Sequence, residues 1–369
     1  MKSWVKYLLS FVLWVVVAVY ILWASSLVKR GYAETVIEGY EIDIADSTAD
    51  RRLVTERMVR EWLEGSGIRI EGSTVAELDV QGIERAVADN GFVGKVSAYA
   101  SADGILRIEV RQRTPLLRLL TDGYDRYITE DGFVFGTPSS SAIYVPVVTG
   151  GFKPMFPADY EGDIADYRDM LISGENGIVH NISELRKRKA EIEHLNEALR
   201  GRIKEWRRVN TKIRWWNSEA TREWKKNRET EKVRQIALKE DSIRRNRREL
   251  MHIGTRLSAE RNAIKKTEEK YEDLLKLLNF VERLENDKFW QSEIVQIVAA
   301  RSASGVLELK LIPRSGSFVI EFGAVSNVEA KLDKLMKFYS SGLRNRGWNE
   351  YSVVSVAYKG QVVCRKAGR

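Results

Sequence analysis

Residues 7–27 read YLLSFVLWVVVAVYILWASSL, a run with no charge, Gly or Pro. At 1.5 Å per residue these side chains cover about 31 Å, the thickness of a bilayer's hydrocarbon core. Within lipid a single segment satisfies its own backbone only as a helix. Trp4 and Trp23 suit the two interfacial belts, and Lys2, Lys6, Lys29 and Arg30 bound the run. The stretch therefore predicts an uncleaved transmembrane anchor. The alternative is a cleaved signal peptide, helped by the small-x-small Gly31-Tyr32-Ala33, but the apolar core of such peptides runs only about 7–15 residues. Basic residues flank both ends almost equally. The short tail, residues 1–6, then favours a cytoplasmic N-terminus, with the remainder outside the cytoplasm.

The chain has 369 residues and no second apolar run of membrane length. Its one cysteine, Cys364, leaves no internal disulfide, so the domains after the anchor must be stabilised by their cores. His180, His194 and His252 have no metal-site spacing, and no cofactor is expected. The net charge of +8 is local: residues 181–285 hold 29 Lys/Arg against 19 Asp/Glu, and the rest is nearly neutral.

Residues 34–116 predict a small α+β domain. Val36–Ile44 alternates as a half-buried strand. Ser47 and Thr48 offer caps for a helix whose apolar face is Leu53, Val54, Met58 and Leu63, ended by Gly65 and Gly67. A second helix spans about Val80–Asn90. Val93–Ala100 and Ile105–Arg111 read as a hairpin turning at Asp103-Gly104. Strand, helix, helix, strand, strand beside a membrane span resembles a POTRA domain. Residues 117–160 predict the first half of a β domain, with Tyr124–Thr129 and Phe133–Phe135 flanking Asp131-Gly132 and a short strand at Ala142–Val148.

Residues 165–285 predict a helical insertion. Apolar residues recur at spacings of three, four or seven from Ile182 to Trp216 and again from Val233 to Leu278, a coiled-coil seam that weakens between Asn217 and Lys232. Strand-rich sequence on both sides favours an antiparallel hairpin with arms of about 50 residues, about 75 Å each, turning at the weak centre. Gly201 and Gly254, nearly equidistant from that centre, agree with paired arms. The alternative is one continuous helix of about 150 Å that separates two domains or self-associates. The basic cluster Arg244-Arg245-Asn246-Arg247-Arg248 reads first as a solvated coiled-coil face; outside the cytoplasm no nucleic-acid partner is expected, and anionic lipid or a cell-wall polymer is the remaining ligand class.

Residues 286–369 predict the second half of the β domain. A strand starts after Trp290 and covers Ile294–Ala300. Val306–Ile312 and Phe318–Phe322 follow, then an amphipathic helix over Val328–Asn345. The last two strands are Tyr351–Tyr358 and Gln361–Arg365, joined at Lys359-Gly360.

The runs Asp287-Lys288-Phe289-Trp290, Leu311-Ile312-Pro313-Arg314-Ser315-Gly316, Ile320-Glu321-Phe322-Gly323, Lys334-Leu335 to Phe338-Tyr339, Gly347-Trp348 and Tyr358-Lys359-Gly360-Gln361-Val362-Val363-Cys364 stand out here. Together they resemble the C-terminal domain of the FtsQ/DivIB cell-division family in its Bacteroidetes-type form. Val145-Pro146-Val147-Val148-Thr149-Gly150 fits the same domain's earlier half. The family order is short tail, one span, POTRA, β domain; the long insertion departs from it.

The resemblance implies a non-enzymatic divisome scaffold in the inner membrane at the septum, with its bulk in the periplasm. Its β domain is expected to bind FtsB, itself paired with FtsL, by strand addition. The last strands then offer Tyr351, Val353, Ser355, Tyr358, Lys359, Gln361 and Val363 to the partner. A POTRA-containing accessory of translocation or outer-membrane assembly is the alternative. No nucleophile–base pair supports an anchored hydrolase.

Overall fold

The computed structural model describes residues 11–23, 32–45, 52–137, 143–343 and 350–367. Residues 11–23 form a helix (α1) exposed along its whole length. No helix among the described residues is long and apolar enough to cross a membrane. The rest of the expected span, residues 7–10 and 24–27, lies outside them.

The fold is α+β. Its small sheet holds β1 (Gly39–Ala45), β2 (Val93–Ala100) and β3 (Ile105–Gln112) in the order β1-β3-β2. β1 runs parallel and β2 antiparallel to β3. Helices α2 (Glu56–Ser66) and α3 (Val80–Ala88) lie between β1 and β2 in the chain. They bury Val59, Leu63, Ile83 and Val87 in one core with Leu106, Ile108 and Val110 of β3. The cap of α2 is Thr55, whose hydroxyl accepts from the Met58 amide, and its end is Gly67 at φ 70°. The expected caps Ser47 and Thr48 lie outside the described residues. Leu53 and Val54 are not helical, because both amides donate to Gln112 Oε1, at 2.8 and 3.2 Å.

The large sheet has ten strands in the order β13-β12-β11-β10-β9-β7-β4-β5-β6-β8. Before the insertion come β4 (Pro115–Thr121), β5 (Tyr124–Thr129), β6 (Phe133–Gly136), β7 (Val147–Thr149) and β8 (Gly162–Asp163). No alternation marks residues 115–121 as a strand. The run PLLRLLT is nearly continuous in apolar residues because β4 sits inside the sheet, between β5 and β7. The expected strand Ala142–Val148 shrinks to the three residues of β7. Tyr127 and Phe135 of this half join the core of the small sheet, where Phe135 meets Phe92 edge-on at 6.1 Å.

The chain returns to the sheet after the insertion. A short helix, α7 (Lys288–Glu293), capped by the Asp287 carboxylate, stands where a strand start was expected. Then follow β9 (Ile294–Arg301), β10 (Leu307–Pro313), β11 (Val319–Ala324), α8 (Val328–Lys337) with a π-type turn over Phe338–Leu343, β12 (Tyr351–Ser355) and β13 (Val363–Lys366). The two halves meet where β7 lies parallel to β9, Val148 opposite Ile297. Gly150, at φ 99°, ends β7 so close to its neighbour that a Cβ there would lie 2.6 Å from the Ala299 carbonyl. A single sheet built from both flanks requires the intervening chain to leave and come back.

The second unit takes in Lys153–Phe156 and Ile164–Leu275. It contains α4 (Ile164–Ser173), α5 (Ile178–Arg208) and most of α6 (Glu219–Glu285). α5 and α6 pack antiparallel through Leu185, Ile192 and Ile253, with Leu250 and Leu257 beside them. Cross-helix contacts fix the register: Arg188 with Glu249 at 3.0 Å, Asn246 Nδ2 donating to Asn196 Oδ1 at 2.9 Å, and Arg207 with Glu240 at 3.1 Å. The arms are unequal, 31 residues against 67, or about 46 and 100 Å of helix. Gly201 lies between Asn196 and Arg207, whose partners are Asn246 and Glu240, so Gly254 is not opposite it.

The turn falls at residues 209–218, earlier than the charge-dominated stretch Asn217–Lys232, most of which is helix. Lys, Arg and Glu are good helix formers, so charge alone does not break a helix. Asn and Ser side chains do it here by taking backbone donors. Asn210 Oδ1 accepts from the Lys212 amide at 3.2 Å, Asn217 Oδ1 from the Arg214 amide at 2.7 Å, and Ser218 Oγ from the Thr221 amide at 3.3 Å.

Candidate partner-binding edge

Strands β11 and β12 are parallel, Ile320 opposite Val354, and α8 makes the crossover between them. β13 then turns back antiparallel along the other side of β12, with Val354 opposite Cys364 and Ser355 opposite Val363. β12 is therefore an interior strand. Tyr351, Val353 and Ser355, expected on the border, stand one row in from it, and Tyr351 and Ser355 are buried.

The strands are also shorter than expected. β12 ends at Ser355 and β13 begins at Val363, so Tyr358, Lys359 and Gln361 lie on the connection, all exposed. The connection turns at Gly360, with φ 77°. It is held down by Lys334 of α8, which donates to the carbonyls of Val356 at 3.0 Å, of Tyr358, and of Gln361 at 3.5 Å. Val363 alone of the seven expected residues sits on the border strand, 44% exposed.

The border itself carries Val363, Cys364, Arg365 and Lys366. Exposed cations on an edge strand discourage pairing with identical edges and favour an incoming strand with acidic side chains. The opposite border, β8, has only two residues. In the small sheet the Ala98 amide of border strand β2 is taken by Glu84 Oε1 at 2.8 Å. β1, seven residues long, ends that sheet on its other side.

Beside the edge, a groove of about 650 Å³ is lined by Val298, Leu309, Glu321, Ser355, Ala357 and Tyr358 among others. The Ser355 hydroxyl is buried with no hydrogen-bond partner among the described residues.

Behind α8 and β11 the support is dense. Lys331 is buried and donates to the carbonyls of Phe322 at 3.1 Å and Ala324 at 2.6 Å. Its pKa is held below the usual ammonium value by burial and then by the neighbouring Lys334 charge. Tyr339 packs edge-on against Phe289 and Trp290, and its hydroxyl donates to Glu293 at 3.0 Å. The Glu293 carboxylate also accepts from Ser315. None of this is visible as spacing in the sequence, where nothing singles out the buried Lys331 and Glu293.

Residues 245–365 match the family model described as FtsQ/DivIB, C-terminal related. Residues 35–111 match that of a POTRA-like domain. No curated protein matches the chain. The first match runs from within α6 through β9–β12 and into β13; the second covers the small sheet with α2 and α3.

Proposed function

We propose that this chain, with its POTRA-like domain and its FtsQ/DivIB C-terminal related domain, is a membrane-anchored scaffold of the division machinery that holds an FtsB/FtsL-like partner by strand addition along β13. Residues 7–27 anchor it in the inner membrane with residues 1–6 in the cytoplasm. The POTRA-like and β domains stand in the periplasm at the septum. The scaffold binds and positions; it breaks no bond.

The observation that carries this reading is the sheet order, which ends on a strand with an exposed Val363 and two exposed cations. An extended segment laid along the outer side of β13 adds a further ladder to the sheet, and these main-chain bonds supply affinity. Selectivity comes from alternate side chains. Glu or Asp of the partner faces Arg365 and Lys366, and an apolar residue covers Val363. Tyr358, Lys359 and Gln361 flank the start of β13, while Tyr351, Val353 and Ser355 form the row behind it.

The test is charge reversal on the border. Arg365→Glu with Lys366→Glu alters exposed side chains, so stability should change by no more than about 0.5 kcal/mol for each. Binding of the FtsB-like partner should fall at least tenfold, and Lys in the acidic positions of the partner should restore it. Unchanged binding by the reversed chain rejects strand addition at β13.

A further inference from the structure

The turn between α5 and α6 presents aromatic side chains that the scaffold reading leaves unused. Trp215 is 84% exposed, Trp216 58% and Trp224 59%, with Ile213 exposed beside them. The turn is a tied structure. Arg222 donates to the Trp215 carbonyl at 2.7 Å, and Lys225 donates to the Lys212 carbonyl at 2.8 Å. Trp215 and Trp216 stand edge to face at 5.5 Å, and the Arg214 guanidinium lies 5.1 Å from the Trp216 ring centroid.

Residues 206–228 carry eight Lys/Arg and two Glu. Among the described residues no carboxylate pairs with Lys212, Arg214 or Lys226. An exposed tryptophan pair beside uncompensated cations is poor for solubility, and the turn's own hydrogen bonds fix the loop that carries it. Indoles, an aliphatic residue and cations together are the side-chain set that suits a membrane interface, where rings sit at headgroup depth and cations meet lipid phosphates.

We propose that the α5–α6 turn is a second membrane contact, docking on a bilayer surface that carries anionic phospholipid. Single-stranded nucleic acid also stacks on aromatics, but proteins bind it in grooves that track the backbone. Here the apolar residues sit in a ten-residue turn, with Arg222, Lys225, Lys226 and Arg228 one to three helical turns behind it. This rests on the proposed anchoring of the chain through residues 7–27. The turn adds a contact that depends on lipid charge.

The test uses the full chain in nanodiscs of phosphatidylcholine, mixed with vesicles and floated on a density gradient. Vesicles containing phosphatidylglycerol should carry the discs upward; vesicles of phosphatidylcholine alone and empty discs should not. Lys212→Gln, Arg214→Gln and Lys226→Gln together should weaken flotation about a hundredfold, near fivefold for each cation removed. Trp215→Ala with Trp216→Ala should weaken it at least tenfold. Helicity by circular dichroism reports that each variant remains folded, and the charge variant leaves the aromatic pair in place. Equal flotation with neutral vesicles, equal flotation by both variants, or capture of a single-stranded oligonucleotide without any vesicle binding would each overturn the proposal.

Discussion

Lys334 donates to the Val356 carbonyl at 3.0 Å, tying helix α8 to the chain just past the end of β12. The same ammonium reaches the Tyr358 and Gln361 carbonyls, so one side chain shapes the connection that delivers β13 to the border. Hydrogen bonds from a charged donor contribute about 1.5–3 kcal/mol in total where the site is partly buried. Lys334→Met keeps the stem and removes the donor. It should destabilise the domain by about that amount and speed tryptic cleavage after the exposed Lys359. Cleavage at the wild-type rate would show that β13 is positioned by other contacts.

Ser355 makes a contrasting case. Its buried hydroxyl has no partner among the described residues, and a buried unsatisfied hydroxyl costs about 1–3 kcal/mol. Ser355→Ala should leave stability unchanged or raise it by up to about 1 kcal/mol, with partner affinity unaltered. Loss of partner binding in a stable Ala variant would move the contact from the border into the groove.

Tyr339 sets an alkaline limit. Burial, reinforced by the adjacent Glu293 charge and the hydrogen bond to it, raises its pKa well above the usual phenol value of about 10. A raised folded-state value means that the associated stability is fully present below about pH 10 and is lost as pH climbs beyond it, because the unfolded chain releases this proton first. Lys331 pulls the other way, since its pKa is lowered, and stability gains as pH approaches 10.5. That opposing slope is common to the wild type and Tyr339→Phe, so it cancels in their difference. Denaturant unfolding from pH 7 to 11 should show Tyr339→Phe weaker by about 1–3 kcal/mol at neutral pH, with the gap closing above pH 10. A constant gap across the range would refute the assignment.

How far the fold could be read from sequence depended on whether local signals agreed with what packing demanded. The α2 end at Gly67, the Asp103-Gly104 turn and the Lys359-Gly360 turn were legible because each needs a left-handed residue and carries a glycine there. β4 was not, since a strand paired on both sides loses its alternation. α7 is six residues long, below what periodicity can resolve. The helical turn was misplaced because charge density masked the Asn and Ser capping that sets it. At the candidate site, the composition of the last strands was legible but their order was not. Which strand ends the sheet follows from the α8 crossover, which places β12 beside β11 and leaves the border to Val363–Lys366.

The most direct measurement places a photo-crosslinking amino acid at Val363 on β13, and separately at Ile42 on β1, in dividing cells, and identifies what each captures by mass spectrometry. A border completed by a neighbour's strand predicts a strong adduct with an FtsB-like protein from position 363 and little from position 42. An adduct confined to β1, or none from either at normal expression, would contradict strand addition along β13.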